Sequence, residues 1–168
     1  QGQVIAGMGT ADIARKGIAY VPENMGIFGG LTVEENLILA TAKGKFDKQR
    51  LQRIYDLFPA IEKFWTKQAW SLSGGQKQML AVARAIIEPR ALILVDEPTK
   101  GLAPSIVAAM GEALREIAQT TTIVLVEQNF NCARSLGRDM AVIDDGRVVH
   151  SGSMMDFAAD KALQGQLL

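Results

Sequence analysis

The 168-residue chain has one cysteine, Cys132, and one histidine, His150. A lone cysteine closes no disulfide within the chain, so nothing requires an oxidising compartment. On its short apolar segment, Cys132 reads as a core residue. His150 follows a strand, and nothing near it has metal-ligand spacing. Charge of either sign is not in excess, with 18 Lys and Arg against 18 Asp and Glu. That balance offers no general attraction to nucleic acid or to an anionic membrane, and no nucleic-acid partner is expected. Long apolar runs are also missing. The densest, Ala91–Val95 and Thr122–Val126, are strand-sized and far below the ~18 residues of a membrane span. Gln1-Gly2-Gln3-Val4 shows neither an initiator Met nor a basic region leading into an apolar core, so no signal peptide is read there.

What is present is ordinary for a soluble globular domain: 48% hydrophobic and 21% charged residues. A chain of this size can bury ~70% of its unfolded surface. Gly17–Val21 reads as a short buried strand ended by Pro22. Val4–Gly7 reads as sheet-forming. A glycine-rich loop spans Asn24–Gly30. Thr32 and Glu35 have capping-box spacing, so a helix is predicted from there until Gly44. A second helix follows Asp47, with Leu51, Ile54, Tyr55 and Phe58 on one face, and Pro59 limits it. Trp65 and Trp70 read as packing residues of this helical stretch.

Ser73 and Gln76 repeat the capping-box spacing ahead of a helix that stops before Pro89. Ala91–Val95 and Thr121–Val126 are continuous apolar strands of the parallel, doubly covered kind. A helix over Pro104–Gln119 separates them. A short helix is predicted over 130–137. Met140–Ile143 and Arg147–Val149 flank Asp145-Gly146, a hairpin signal. Helical tail follows from Met154. Strands alternating with helices give an α/β fold with a mostly parallel sheet. The boundaries read as an α/β core over 1–23 and 91–150, a helical insertion over 24–90 and a tail over 151–168.

Two features carry chemistry. Leu92–Val95 is an apolar strand running into Asp96 and Glu97, which places both carboxylates at the edge where open α/β sheets bind ligands. Asp96 is placed to hold Mg²⁺, and Glu97 to orient and polarise a water. Taken alone, the pair reads equally well as a solvated acidic turn. The second is Ser73-Gly74-Gly75-Gln76, a bare backbone at a helix start, where free N–H groups and the helix dipole favour an anion. Alone it is a plain glycine-containing cap. Asp96 lies 20 positions after Gln76, and the pair is more specific than either part.

Leu72-Ser-Gly-Gly-Gln76, the helix after it and Leu92-Ile-Leu-Val-Asp-Glu-Pro-Thr99 together resemble the nucleotide-binding domain of ATP-binding cassette (ABC) transporters. The resemblance covers essentially the whole chain. It implies a P-loop NTPase-like (RecA-like) parallel sheet with an inserted helical subdomain, ATP and Mg²⁺ as ligands, and ATP hydrolysis. Ser73, Gly74, Gly75 and Gln76 match the signature motif, which in the family closes over the γ-phosphate held by a partner subunit. Asp96 matches the metal-supporting aspartate of Walker B and Glu97 the catalytic glutamate. Gly17–Glu23 resembles the Q-loop, with Glu23 where most members have Gln, as phosphate sensor and metal ligand. Gly101–Pro104 resembles the D-loop. Gln128 stands at the switch position, where most members have His. A glutamine donates a hydrogen bond but carries no proton near neutral pH, so its role reads as positioning.

These departures are similar to the ATPase subunits of branched-chain amino-acid importers and their amide or urea relatives. The implied partners are a second ATPase subunit, identical or similar, integral membrane permease subunits and, indirectly, a periplasmic or extracellular solute-binding protein. The implied place is peripheral, on the cytoplasmic face of the inner membrane. In the family the Asn24–Gly30 connector transmits nucleotide state to the permease, and its glycines would permit a hinge. Lys100 reads as solvated, near the expected dimer interface. An ABC-type ATPase of DNA repair or translation is the first alternative, though no coiled coil, second cassette or basic patch supports it. A truncated module that binds partners without turning over ATP is the second.

No G-x-x-x-x-G-K-[ST] loop is present. Gly7–Lys16 lacks the Gly-Lys-Ser/Thr ending, and Gly44-Lys45 is followed by Phe46. The Walker A strand and helix and the first β region are therefore expected to be absent. The chain reads as a piece of a longer subunit, inactive alone, or as a natural relative supplying only the signature half. Loss of a central strand would leave two strands unpaired. Marginal stability or association is expected unless residues 1–10 fill the gap.

Overall fold

The computed structural model describes residues 2–167. The chain divides into two compact units, Gln1–Val126 and Glu127–Leu168.

In the first unit, β1 (Ile18–Val21), β2 (Leu92–Asp96) and β3 (Thr122–Val126) form a parallel sheet in the order β1-β2-β3. The register sets Val21 beside Val95, and Asp96 beside Val126. Both acidic residues thus leave the sheet at its C-terminal edge. Val21, Ile93 and Val95 are buried, as are Met110, Leu114 and Ile117 of α6 (Pro104–Ala118). The other face of the sheet is open. Tyr20, Leu94 and Val124 share it by register, and Tyr20, Val124 and Val126 are 59%, 48% and 52% exposed. Parallel sheets are normally covered on both faces, because every crossover lays a helix against them.

Two expectations are corrected here. No gap separates the three parallel strands, so the sheet has one uncovered face and no orphaned strands. Residues 4–7 do not join a sheet. Val4 is exposed, Ala6 and Gly7 turn with Gly7 at φ +80°, and a six-residue helix, α1 (Thr10–Arg15), follows. The segment closes on itself instead, with the Met8 N–H on the Ile5 carbonyl at 3.1 Å.

The helical stretch begins with α2 (Val33–Ile38), closed by the predicted capping box: Thr32 Oγ1 accepts from the Glu35 N–H at 3.1 Å, and Glu35 Oε2 from the Thr32 N–H at 2.7 Å. It ends at Ile38, earlier than Gly44. Asp47 caps α3 (Lys48–Leu57), and Pro59 opens a separate helix, α4 (Pro59–Lys63). Ile54, Phe58 and Ile61 are buried at this joint. Trp65 packs as expected, its ring 5.4 Å from Phe46 and 5.6 Å from Tyr55. Trp70 does not. It is 65% exposed, and its indole N–H donates to Gln68 Oε1 at 2.6 Å. The 3₁₀ turn Ala69–Ser71 buries Ala69 and so turns the neighbouring indole outward. α5 (Gly74–Ile86) follows and is buried along most of its length.

The second unit holds α7 (Phe130–Leu136), the antiparallel hairpin β4 (Asp139–Asp144) and β5 (Arg147–Ser153), α8 (Met154–Ala159) and α9 (Lys161–Leu167). Cys132 is buried on α7, as the apolar pattern predicts. Asp145 and Gly146 both have positive φ, the requirement of a two-residue hairpin turn. β5 runs four residues past Val149, with a register shift at Val142 and Ile143.

Candidate functional site

The C-terminal edge of the sheet gathers three carboxylates and their partners. Glu97 follows β2 directly, and its N–H donates to the Val126 carbonyl at 2.9 Å. That bond holds the residue at φ +44°, a left-handed conformation that a glutamate rarely adopts. Its side chain is mostly buried. Glu23, two residues past β1, is exposed.

Lys100 joins them. Its ammonium lies 2.5 Å from Glu23 Oε1 and 3.1 Å from Glu97 Oε2. The expectation of a merely solvated lysine is therefore corrected. The turn after β2 carries the cation back over the strand ends, with the Lys100 N–H on the Glu97 carbonyl at 3.2 Å. Hydrogen bonds to Glu23 first, then to Glu97, raise the Lys100 pKa. Asp96 has its own partner: the Tyr20 hydroxyl donates to Oδ2 at 3.1 Å. That bond, followed by desolvation and the nearby charges of Asp96 and Glu23, raises the Tyr20 pKa. Tyr20 and Lys100 were missed as site residues. The only sequence signals were strand alternation toward Asp96 and the three-residue step from Glu97.

The Ser73–Gln76 turn forms a second cluster. Ser73 Oγ accepts from the Gln76 N–H at 3.3 Å, and Gln76 Oε1 from the Ser73 N–H at 2.9 Å. Ser73 and Gly74 are exposed, whereas Gly75 is buried. A Cβ on Gly75 would stand 2.7 Å from Ile106 Cγ2, so this glycine is required by close packing against α6. A Cβ on Gly74 would meet only Leu102 at 3.9 Å. The turn therefore rests on the segment that follows the acidic pair.

The Asn24–Gly30 loop is anchored rather than free. Buried Asn36 accepts from the Phe28 N–H at 2.9 Å and donates to the carbonyls of Phe28 and Thr32, each at 2.9 Å. Arg84 donates to the Gly26 carbonyl at 2.5 Å, with its guanidinium 4.9 Å from the Phe28 ring centre. Gln128 is the second residue of the second unit, two positions beyond Val126 at the end of β3.

Mg²⁺ takes one or two carboxylates, water and substrate phosphates rather than a dedicated protein cage. Asp96, with hard oxygens at a ligand-binding sheet edge, fits that demand. Among the described residues no three His, Cys, Asp or Glu side chains gather into a metal-holding group, and Glu23 is claimed by Lys100. Asp96 thus fits better than Glu23. No helix among the described residues is long and apolar enough to cross a membrane.

Comparisons with known proteins bear on the family and the fold. The chain is 38% identical over 153 residues to the high-affinity branched-chain amino acid transport ATP-binding protein BraG of Pseudomonas aeruginosa, covering 89% of this chain and 65% of that protein. It is 36% identical over 141 residues to the probable branched-chain amino acid transport ATP-binding protein LivF of Archaeoglobus fulgidus, covering 82% of this chain and 60% of that protein. It is also 32% identical to the methionine import ATP-binding protein MetN of Mesorhizobium japonicum, covering 95% of this chain and 46% of that protein. The chain thus spans less than two thirds of these relatives. Among solved structures, the ATP-binding cassette MJ0796 bound to ADP and Pi matches with a TM-score of 0.73 at 25% identity, over 86% of this chain and 66% of that one. The model of the ABC transporter family matches residues 1–100, well over half of the sequence, and the chain belongs to that family.

Proposed function

We propose that this chain is the signature-bearing part of the ATP-binding subunit of an ABC importer, which energises uptake of branched-chain amino acids or similar small amides. The observation that carries the reading is the acidic edge. Glu97, mostly buried and backbone-held, stands beside Asp96 at the end of a parallel strand. The solute class follows the BraG and LivF likeness; methionine, cystine and Fe(3+) import proteins also match, at 30–32% identity.

In this reading Asp96 supports Mg²⁺, which when bound offsets phosphate charge. Glu97 orients the attacking water and accepts its proton. Ser73 and Gly74 present hydroxyl and backbone N–H groups to the γ-phosphate held by a second ATPase subunit. Gly75 and Gln76 shape that turn, through packing and through the cap. Glu23 and Gln128 respond to the phosphate, Gln128 as a hydrogen-bond donor only. Permease subunits are the membrane partners, the subunit is peripheral on the cytoplasmic face, and a solute-binding protein acts indirectly.

The sequence has no phosphate-cradling G-x-x-x-x-G-K-[ST] loop, and one sheet face is open. Both support a chain that does not turn over ATP by itself. Calorimetry and phosphate release with Mg-ATP test this on the 168-residue chain. No binding is expected; binding with turnover that Glu97→Gln abolishes would overturn it.

A further inference from the structure

A cleft of about 240 Å³ opens in the first unit between α3, the turn from α5 to β2, and the chain from α6 to β3. It lies where strands β2 and β3 begin, at the edge of the sheet opposite Asp96 and Glu97. We propose that this cleft binds a small aliphatic carboxylate, an acid without an ammonium group.

Its floor is branched and apolar: Ile54, Ile93 and Ile117 are buried, and Ile86 is half-buried. Three arginines line it, against one acid. Arg50 and Glu88 pair at 2.5 Å, and the Ala42 N–H donates to the second Glu88 oxygen at 3.1 Å, so each oxygen of that carboxylate already has a partner. Arg53 and Arg90 have no carboxylate within ion-pair distance among the described residues. Arg53 donates only to Thr120 Oγ1, at a long 3.3 Å. Arg90 is anchored through Nε to the Ala85 carbonyl at 3.1 Å, which leaves its terminal nitrogens for a ligand. Two guanidinium groups without a carboxylate partner among the described residues, Arg53 exposed and Arg90 half-buried, border an apolar floor, a combination that suits an anion with a hydrocarbon body.

Size and charge narrow the class. An enclosed cavity of about 150 Å³ holds benzene, so this open cleft seats a body of roughly ten non-hydrogen atoms. A phosphate would lay unpaired oxygens on the isoleucine floor, which is costly. An amino acid would bring an ammonium to two arginines with no free carboxylate to receive it. A carboxylate matches the guanidinium fork, and a short branched chain matches the floor.

The test is a calorimetric titration of the chain with sodium 4-methylpentanoate, with leucine and inorganic phosphate as counter-probes at equal ionic strength. Saturable binding is expected for the acid alone. Arg53→Gln and Arg90→Gln should each weaken it about tenfold, the loss of one charge-assisted hydrogen bond, with unchanged thermal melts. A variant that melts early is replaced by Arg→Lys at the same position, which keeps charge and loses the fork. No saturable binding, equal binding of leucine or phosphate, or binding unaltered in both arginine variants would each overturn the proposal.

Discussion

Lys100 reaches Glu23 across 77 positions of sequence and holds it at 2.5 Å, while the same ammonium stands 3.1 Å from Glu97. One cation thus ties Glu23, the proposed phosphate sensor, to the proposed water-orienting carboxylate. Lys100 supplies a charge that compensates the Glu23 carboxylate. Glu23→Gln should lower the Lys100 pKa toward that of an ordinary lysine, because the largest cause of its rise is removed. Nitrogen NMR of the lysine ammonium groups measures this directly. A raised lysine pKa stabilises the fold fully below the unfolded value, about 10.4, and is lost as pH rises through the higher folded value. Melts between pH 7 and 9 should therefore show no change from this pair.

Tyr20 and Asp96 make a second, separable pair. Asp96→Asn should return the Tyr20 pKa toward 10, since the hydrogen bond to Asp96 is the largest cause of its rise. Absorbance of the phenolate follows it. Tyr55, raised mainly by burial, should be unmoved and serves as the internal control. Here too the stabilisation is complete below the unfolded tyrosine pKa and fades above the folded one.

Gly75→Ala should destabilise the chain although alanine favours helix. Propensity gains about 1 kcal/mol. A methyl 2.7 Å from Ile106 Cγ2 costs about 1–3 kcal/mol through overpacking, because Ile106 Cβ itself stands only 3.5 Å away and a β-branched side chain has few rotamers to escape into. Gly74→Ala, with 3.9 Å of room, should be neutral or stabilising. Urea unfolding of the two variants, and of Gly75→Ala with Ile106→Ala, distinguishes packing from any effect on phosphate.

The open sheet face should make the chain associate. Tyr20, Leu94 and Val124 stand side by side there, with Val126 opposite Asp96 at the end of the strands, an apolar surface bordered by one carboxylate. Sedimentation velocity should show species larger than the monomer, and Val124→Lys should shift them to monomer. A wild-type chain that stays monomeric would contradict this.

Local signals were legible in the sequence. Both capping boxes, at Thr32 and Ser73, formed as spaced, because each is settled within one helical turn. The apolar strands and the Asp145-Gly146 turn did likewise. Nonlocal relations were not legible. Nothing in a linear pattern brings Lys100 to Glu23, or predicts that Trp70 turns outward while Trp65 packs. Gly75 read as a phosphate cradle because its close approach to Ile106 appears only once α5 meets α6. Val4–Gly7 reads as a strand from its apolar residues, but pairing with a sheet edge is a nonlocal relation, and the segment turns at Ala6 and Gly7 instead.

In the proposed reading Glu97 carries hydrolysis. That role is tested most directly by phosphate release from the complete ATP-binding subunit bearing this segment, wild type against Glu97→Gln, with ATP affinity measured alongside. Turnover should fall at least about a hundredfold, the scale of a lost general base, with ATP affinity retained. Turnover that survives the substitution would contradict the account.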